Sequence, residues 1–221
     1  MVGIIAAMTE APPVLLLAPP DAQAGYVFAH GAGAGMGHEF MEAIATGLAA
    51  RRIATLRFNF PFMAQGSKRP DPPAVAQAAV RAAVEEAARR LPELPLFAGG
   101  KSFGGRMTSQ AQAATPLTYV RGLAFVGFPL HPAGKPSMTR ADHLARIEVP
   151  MLFLQGTRDA LAEWDLLEHT VAGLGERASL VRLEHADHSF HVPRTSGRTD
   201  AEVRDAMLDA FEDWVATLPS R

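Results

Sequence analysis

Short apolar runs alternate with longer stretches of helical period along the 221-residue chain. Val14 to Ala18 and Tyr26 to Ala29 read as strands, Glu39 to Ala50 as a helix, and Ile53 to Phe58 as a strand. The alanine-rich stretch from Ala74 to Arg90 reads as a helix by propensity, stopped by Leu91-Pro92 before a strand at Leu96 to Ala98. A helix from Phe103 to Ala114 follows, then strands at Gly122 to Val126, Pro150 to Gln155 and Ser179 to Leu183. A further helix is expected from Ala160 to about Gly173, and Thr199-Asp200-Ala201-Glu202 is a capping box that opens the last one, Glu202 to Leu218.

Strands alternating with helices imply right-handed crossovers and a mostly parallel sheet covered by helices on both faces, a single α/β domain over residues 1–221. Ligands of such sheets sit beyond the carboxyl ends of the strands, so the loops directly after strands carry the functional information. Gln65 to Pro73 is polar and proline-rich, as expected of a long surface loop.

Composition narrows the classes. With 48% hydrophobic and 20% charged residues the chain can bury a sizeable core. Its 21 basic and 23 acidic residues include no basic block for a phosphate backbone, which argues against a nucleic-acid partner. The chain has no cysteine, so disulfides and a thiolate nucleophile are ruled out and a cytoplasmic address is the default expectation. The apolar stretch Met1 to Met8 lacks a basic flank and is soon interrupted by Thr9, Glu10, Pro12 and Pro13. It reads neither as a membrane span nor as a signal peptide. No cofactor or membrane partner is expected, and the sequence leaves homo-oligomerisation open.

Gly100-Lys101-Ser102-Phe103-Gly104 is a G-x-S-x-G with a strand before it and a helix after it. That context defines a nucleophile elbow, in which a strained turn exposes the serine hydroxyl and small flanking residues let the helix fold back over the strand. A phosphate-binding Walker loop also contains Gly-Lys-Ser, but its first glycine would fall at Pro95. An ordinary glycine-rich helix entry capped by serine is the plain alternative.

The loop His30-Gly31-Ala32-Gly33-Ala34-Gly35-Met36-Gly37 follows a strand and frees backbone amides to approach a negative charge. A dinucleotide fingerprint fails on spacing, since the sixth position counted from Gly31 is Met36 and from Gly33 is His38. An oxyanion hole would take one amide from Ala32, with Gly33 the alternative, and one from Phe103 after the nucleophile.

Gly156-Thr157-Arg158-Asp159 puts a carboxylate after another strand, with Asp159 either an orienting acid or the N-cap of the next helix. Asp165 and Asp142 are weaker candidates. The last strand leads into His185, His188 and His191, whose loop context and lack of an H-E-x-x-H argue against a metal site. His188 is the favoured base, being central and followed by Ser189-Phe190. The order Ser102, Asp159, His188 matches a Ser-Asp-His hydrolytic triad with each member after a strand.

Four strings carry a family resemblance: His30 to Gly35, Gly99 to Met107, Gln155 to Asp159, and Ala186 to Phe190. On them the chain resembles the α/β-hydrolase superfamily, and within it the small bacterial branch related to dienelactone hydrolases. That branch also holds eukaryotic hydrolase-like proteins of a histone-acetyltransferase complex and of testis. Phe128-Pro129-Leu130-His131-Pro132 and Gly197-Arg198-Thr199 look like further branch features. The resemblance implies a three-layer α/β/α sandwich and carboxylesterase-like chemistry. The chain departs from the branch's Gly-Ala-Asp-His at His185, where glycine is expected.

About twenty residues separate the strand ending at Val126 from the one starting at Pro150, too few for a large helical cap. An open site suits small soluble esters, with thioesters or peptides as alternatives, and a binding or scaffold protein with an unused triad is the reading from a different class. Phe60 to Met63 and Pro129 to His131 are candidates for cavity walls or for core packing. Arg106 and Arg57 fit structural ion pairs as well as a substrate carboxylate.

Overall fold

The computed structural model describes residues 13–218, so the stretch Met1 to Met8 lies outside the described residues. The strands are β1 (Val14–Leu17), β2 (Ala24–Ala29), β3 (Ile53–Phe58), β4 (Leu96–Lys101), β5 (Val120–Val126), β6 (Met151–Gly156) and β7 (Ala178–Leu183). The helices are α1 (Glu39–Ala50), α2 (Pro61–Ala64), α3 (Pro73–Arg90), α4 (Phe103–Ala114), α5 (Trp164–Gly173) and α6 (Asp200–Thr217). A 3-10 segment at Thr139–Arg146 lies between β5 and β6.

The sheet order is β1-β3-β2-β4-β5-β6-β7, parallel throughout except for the antiparallel edge strand β1. Strand β2 is buried along its whole length, yet its side chains still alternate between two cores. Tyr26 and Phe28 face the layer of α1 and α6 with Ile44, Leu48, Met207 and Phe211. Val27 and Ala29 face the layer of α3, α4 and α5 with Val80, Met107 and Leu167. Three layers result, as the alternation of elements requires. The connection from β5 to β6 carries the 3-10 segment and no helical lid. Among the described residues no helix is long and apolar enough to cross a membrane.

The capping box of α6 forms: the Thr199 hydroxyl accepts from the Glu202 amide, and the Glu202 carboxylate accepts from the Thr199 amide at 2.7 Å. Helix α5 begins at Trp164 rather than Ala160. The intervening residues turn because Asp159 Oδ1 accepts the Leu161 amide at 2.8 Å and the Asp159 carbonyl accepts the Ala162 amide. Asp159 is therefore no N-cap of α5, whose capping position is Glu163.

Candidate active site

Ser102 sits between β4 and α4 at φ 50° and ψ −113°, a backbone region costly for any residue with a Cβ. The elbow is held by close packing on its small flanks. A methyl group at Gly104 would lie 2.5 Å from the Ala29 carbonyl oxygen and 2.6 Å from that of His30, and one at Gly100 would also collide with Ala29. The glycines thus let α4 settle against the end of β2.

Three loops converge on that serine. The Ser102 hydroxyl and His188 Nε2 are 2.9 Å apart, and His188 Nδ1 lies 2.7 Å from Asp159 Oδ2. An ionised carboxylate only accepts, so Nδ1 carries the imidazole proton and Nε2 offers its lone pair to the Ser102 hydroxyl. Asp159 is buried and both its oxygens are engaged: Gln155 Nε2 donates to Oδ2 at 2.6 Å, and the Leu161 amide donates to Oδ1. Gln155 also accepts the Phe128 amide, tying the exits of β5 and β6 together.

The loop carrying His188 is built on Asp187. Its Oδ1 accepts the amides of Ser189 and His191, at 2.7 and 3.0 Å. His185 and Phe190 bracket the loop, both at φ 66°. That left-handed conformation explains why glycine would be the natural residue at position 185. The His185 amide donates to Thr157 Oγ1, and the residue as a whole is exposed. His191 is also exposed and pairs with Asp200, whose carboxylate raises the imidazole above its ordinary range. The three loop histidines therefore diverge, and among the described residues no group of three histidines and carboxylates is placed to hold a metal ion.

A cavity of about 530 Å³ opens at the Ser102 hydroxyl. Its walls are Gly31 to Ala34, His38 to Met41, Lys101, His188 and Ser189. Ala32 of the glycine loop lines it. Phe103 instead buries its ring edge-on against Phe60 and Phe62, while its amide belongs to the first turn of α4, where N–H groups have no intrahelical acceptor. Of the two alternatives for Phe60 to Met63 and Pro129 to His131, core packing is the one seen at Phe60, Phe62, Leu130 and His131, and none of these stretches lines this cavity. A hollow of about 550 Å³ beside α2 and α3, lined by Phe58, Pro61, Val75 and Ala79 among others, has no nucleophile, acid or base on its wall.

Two buried histidines, His30 and His131, hold the loops in a role that the sequence pattern does not specify. His30 Nδ1 donates to the Gly31 carbonyl at 2.7 Å and Nε2 accepts the Phe60 amide at 3.1 Å. Burial pushes this imidazole down, which suits its neutral role. His131 repeats the pattern, with Nδ1 on the Pro132 carbonyl and Nε2 accepting the Glu163 amide. The signal that could have found His30 is its place directly after a buried strand. Arg57 donates to the Met36 carbonyl at 3.0 Å and supports the glycine loop. Among the described residues Arg106 has no carboxylate within ion-pair distance, and Asp142 and Asp165 do not bond His188.

A lidless parallel sheet with a serine elbow, an acid and a histidine at its carboxyl edge defines the α/β-hydrolase class. The chain belongs to it: residues 22–216 match the family model described as an alpha/beta hydrolase domain. Solved structures agree in fold. A serine hydrolase homologue from Coxiella burnetii superposes with a TM-score of 0.71 at 20% identity, over 89% of this chain and 90% of its own. A serine hydrolase without lid from Xanthomonas campestris gives 0.70 at 24% identity, over 93% and 89%. The dienelactone hydrolase of Anabaena variabilis gives 0.71 at 19% identity, over 93% and 91%.

Proposed function

We propose that the protein is a serine hydrolase of small soluble carboxylic esters, acting through Ser102, His188 and Asp159. One observation carries the reading: the unbroken hydrogen-bonded chain from the Ser102 hydroxyl to Asp159 starts at a strained elbow and opens into a lidless cavity. In the first half-reaction His188 Nε2 takes the hydroxyl proton as Ser102 Oγ bonds to the ester carbonyl carbon. The amides of Ala32 and Phe103 receive the oxyanion, and the alcohol leaves with the proton from His188. Water then repeats the sequence on the acyl-enzyme, releasing the acid and freeing the serine. Asp159 keeps the ring in its Nδ1–H tautomer and stabilises the imidazolium.

We place the whole chain, residues 1–221, in one such domain of the dienelactone-hydrolase-like branch. Its freedom from cysteine suits a cytoplasmic address. Hydrolysis of p-nitrophenyl acetate by the wild type and Ser102→Ala tests the reading. The variant is expected to lose turnover while keeping its circular dichroism and melting temperature; equal hydrolysis by both would refute the assignment. A panel of short acyl esters, thioesters and peptides then ranks the substrates.

A further inference from the structure

Lys101 is the last residue of β4 and the immediate neighbour of Ser102. Its side chain is half-buried on the cavity wall, with the ammonium partly withdrawn from water. The ammonium lies 5.0 Å from the centre of the Phe190 ring and 5.9 Å from that of Phe40, and these two rings stack nearly parallel at 5.8 Å. Among the described residues no carboxylate comes within ion-pair distance of it. Withdrawing an ammonium from water is costly, and a methionine or leucine would fill this space without that penalty. The charged end must therefore do something an apolar end could not. Its hydrogen bond shows what that is, since Nζ donates to the main-chain carbonyl of His188 at 2.5 Å.

We propose that Lys101 is a positioning residue: seated beside the stacked rings of Phe40 and Phe190, its ammonium fixes the main chain of His188 and so sets the imidazole against the Ser102 hydroxyl. This role rests on the catalytic assignment of Ser102, His188 and Asp159. Asp159 holds the ring and Asp187 shapes the turn, while Lys101 bonds the His188 carbonyl itself. The same residue links the strand that carries the nucleophile to the loop that carries the base. Displacements of about 1 Å between reacting groups cost roughly a hundredfold in rate, so slack in this tie reaches the chemistry.

The charge of the tie depends on pH. Burial pushes the Lys101 ammonium down to about 8, against the pull of Asp159 and Asp187. His188 sits above it, while His38 and Glu39 at the start of α1 line the same cavity. Loss of the proton leaves a neutral donor, a weaker bond to the carbonyl and no attraction to the rings.

The test is the rate at which a fluorophosphonate labels Ser102, followed by peptide mapping from pH 6 to 10. Wild type should label at Ser102 and slow along an alkaline limb with its midpoint near 8. Lys101→Met should label about ten- to a hundredfold more slowly at pH 7 and lack that limb. Lys101→Arg, which stays charged, should recover most of the rate and carry it beyond about pH 9. Equal rates and equal profiles for wild type and Lys101→Met would overturn the proposal. Absence of label on wild-type Ser102 would instead sink the triad reading, and this one with it. Should Lys101→Met fail to fold, Phe40→Leu removes one ring; its limb should move to lower pH, and an unmoved limb overturns the proposal.

Discussion

Two serine–histidine pairs lie at opposite ends of a short stretch of helix α4. Ser102 and His188 Nε2 are 2.9 Å apart, and Ser109 and His143 Nε2 are 2.7 Å apart. By distance alone the second pair is the tighter. Its surroundings are different. Ser109 is wholly buried in the helix and its hydroxyl donates to the Arg106 carbonyl at 2.9 Å, so its oxygen is left to accept from His143. Burial, reinforced by Arg146 and Arg106, pushes His143 down to about 4, and it cannot hold an added proton at neutral pH. Among the described residues no carboxylate hydrogen-bonds its ring. Ser102 has what Ser109 lacks: a backbone turned outward, an acid behind the histidine and a cavity in front.

The sharpest way to break the comparison is to delete each hydroxyl. Ser102→Ala should reduce kcat by roughly 10⁵-fold or more, whereas Ser109→Ala should stay within about threefold of wild type. Comparable losses would show that the helix pair matters to the reaction. Next in size, Asp159→Asn should lower kcat by about 10³- to 10⁴-fold, because the amide favours the wrong tautomer of His188. Replacing His188 and His185 separately should confine the loss to His188.

Smaller effects fall on stability. Gly104→Ala would press a methyl on the carbonyls of Ala29 and His30, and denaturant unfolding should show a loss of about 2–3 kcal/mol. His143 binds its proton more weakly in the fold than in the unfolded chain. It therefore favours folding fully above about pH 6.5, and that contribution drains away as pH falls toward 4. His143→Gln should flatten this slope by on the order of 1 kcal/mol, its partial exposure to solvent limiting the effect. A variant with the wild-type slope would place the titration elsewhere.

Much of the fold was legible in the chain because it is local. The limits of α1, β3 and α4 follow from hydrophobic period and from helix signals that a few neighbours decide. The residues at the site follow from one further rule, that loops after parallel strands meet at one edge. What escaped depends on packing between distant segments. The 3-10 segment at Thr139–Arg146 buries Ala141 and Leu144 against α4, with too few apolar positions to announce itself. The late start of α5 needs His131, 32 residues upstream, to take the Glu163 amide. Nothing in the sequence brings Phe40 and Phe190 together beside Lys101, so its place at the site is legible only in the fold.

The division of labour around the cavity also bears on how such a protein diversifies. The hydrogen bonds that set Ser102, His188 and Asp159 come from Gln155, Leu161, Lys101 and the members themselves, while much of the rim belongs to the single stretch from Gly31 to Met41. The exposed side chains at the start of α1, His38 and Glu39, can therefore be exchanged without disturbing the elbow. A few substitutions at His38 and Glu39 would reshape the cavity while Ser102, Asp159 and His188 are inherited unchanged.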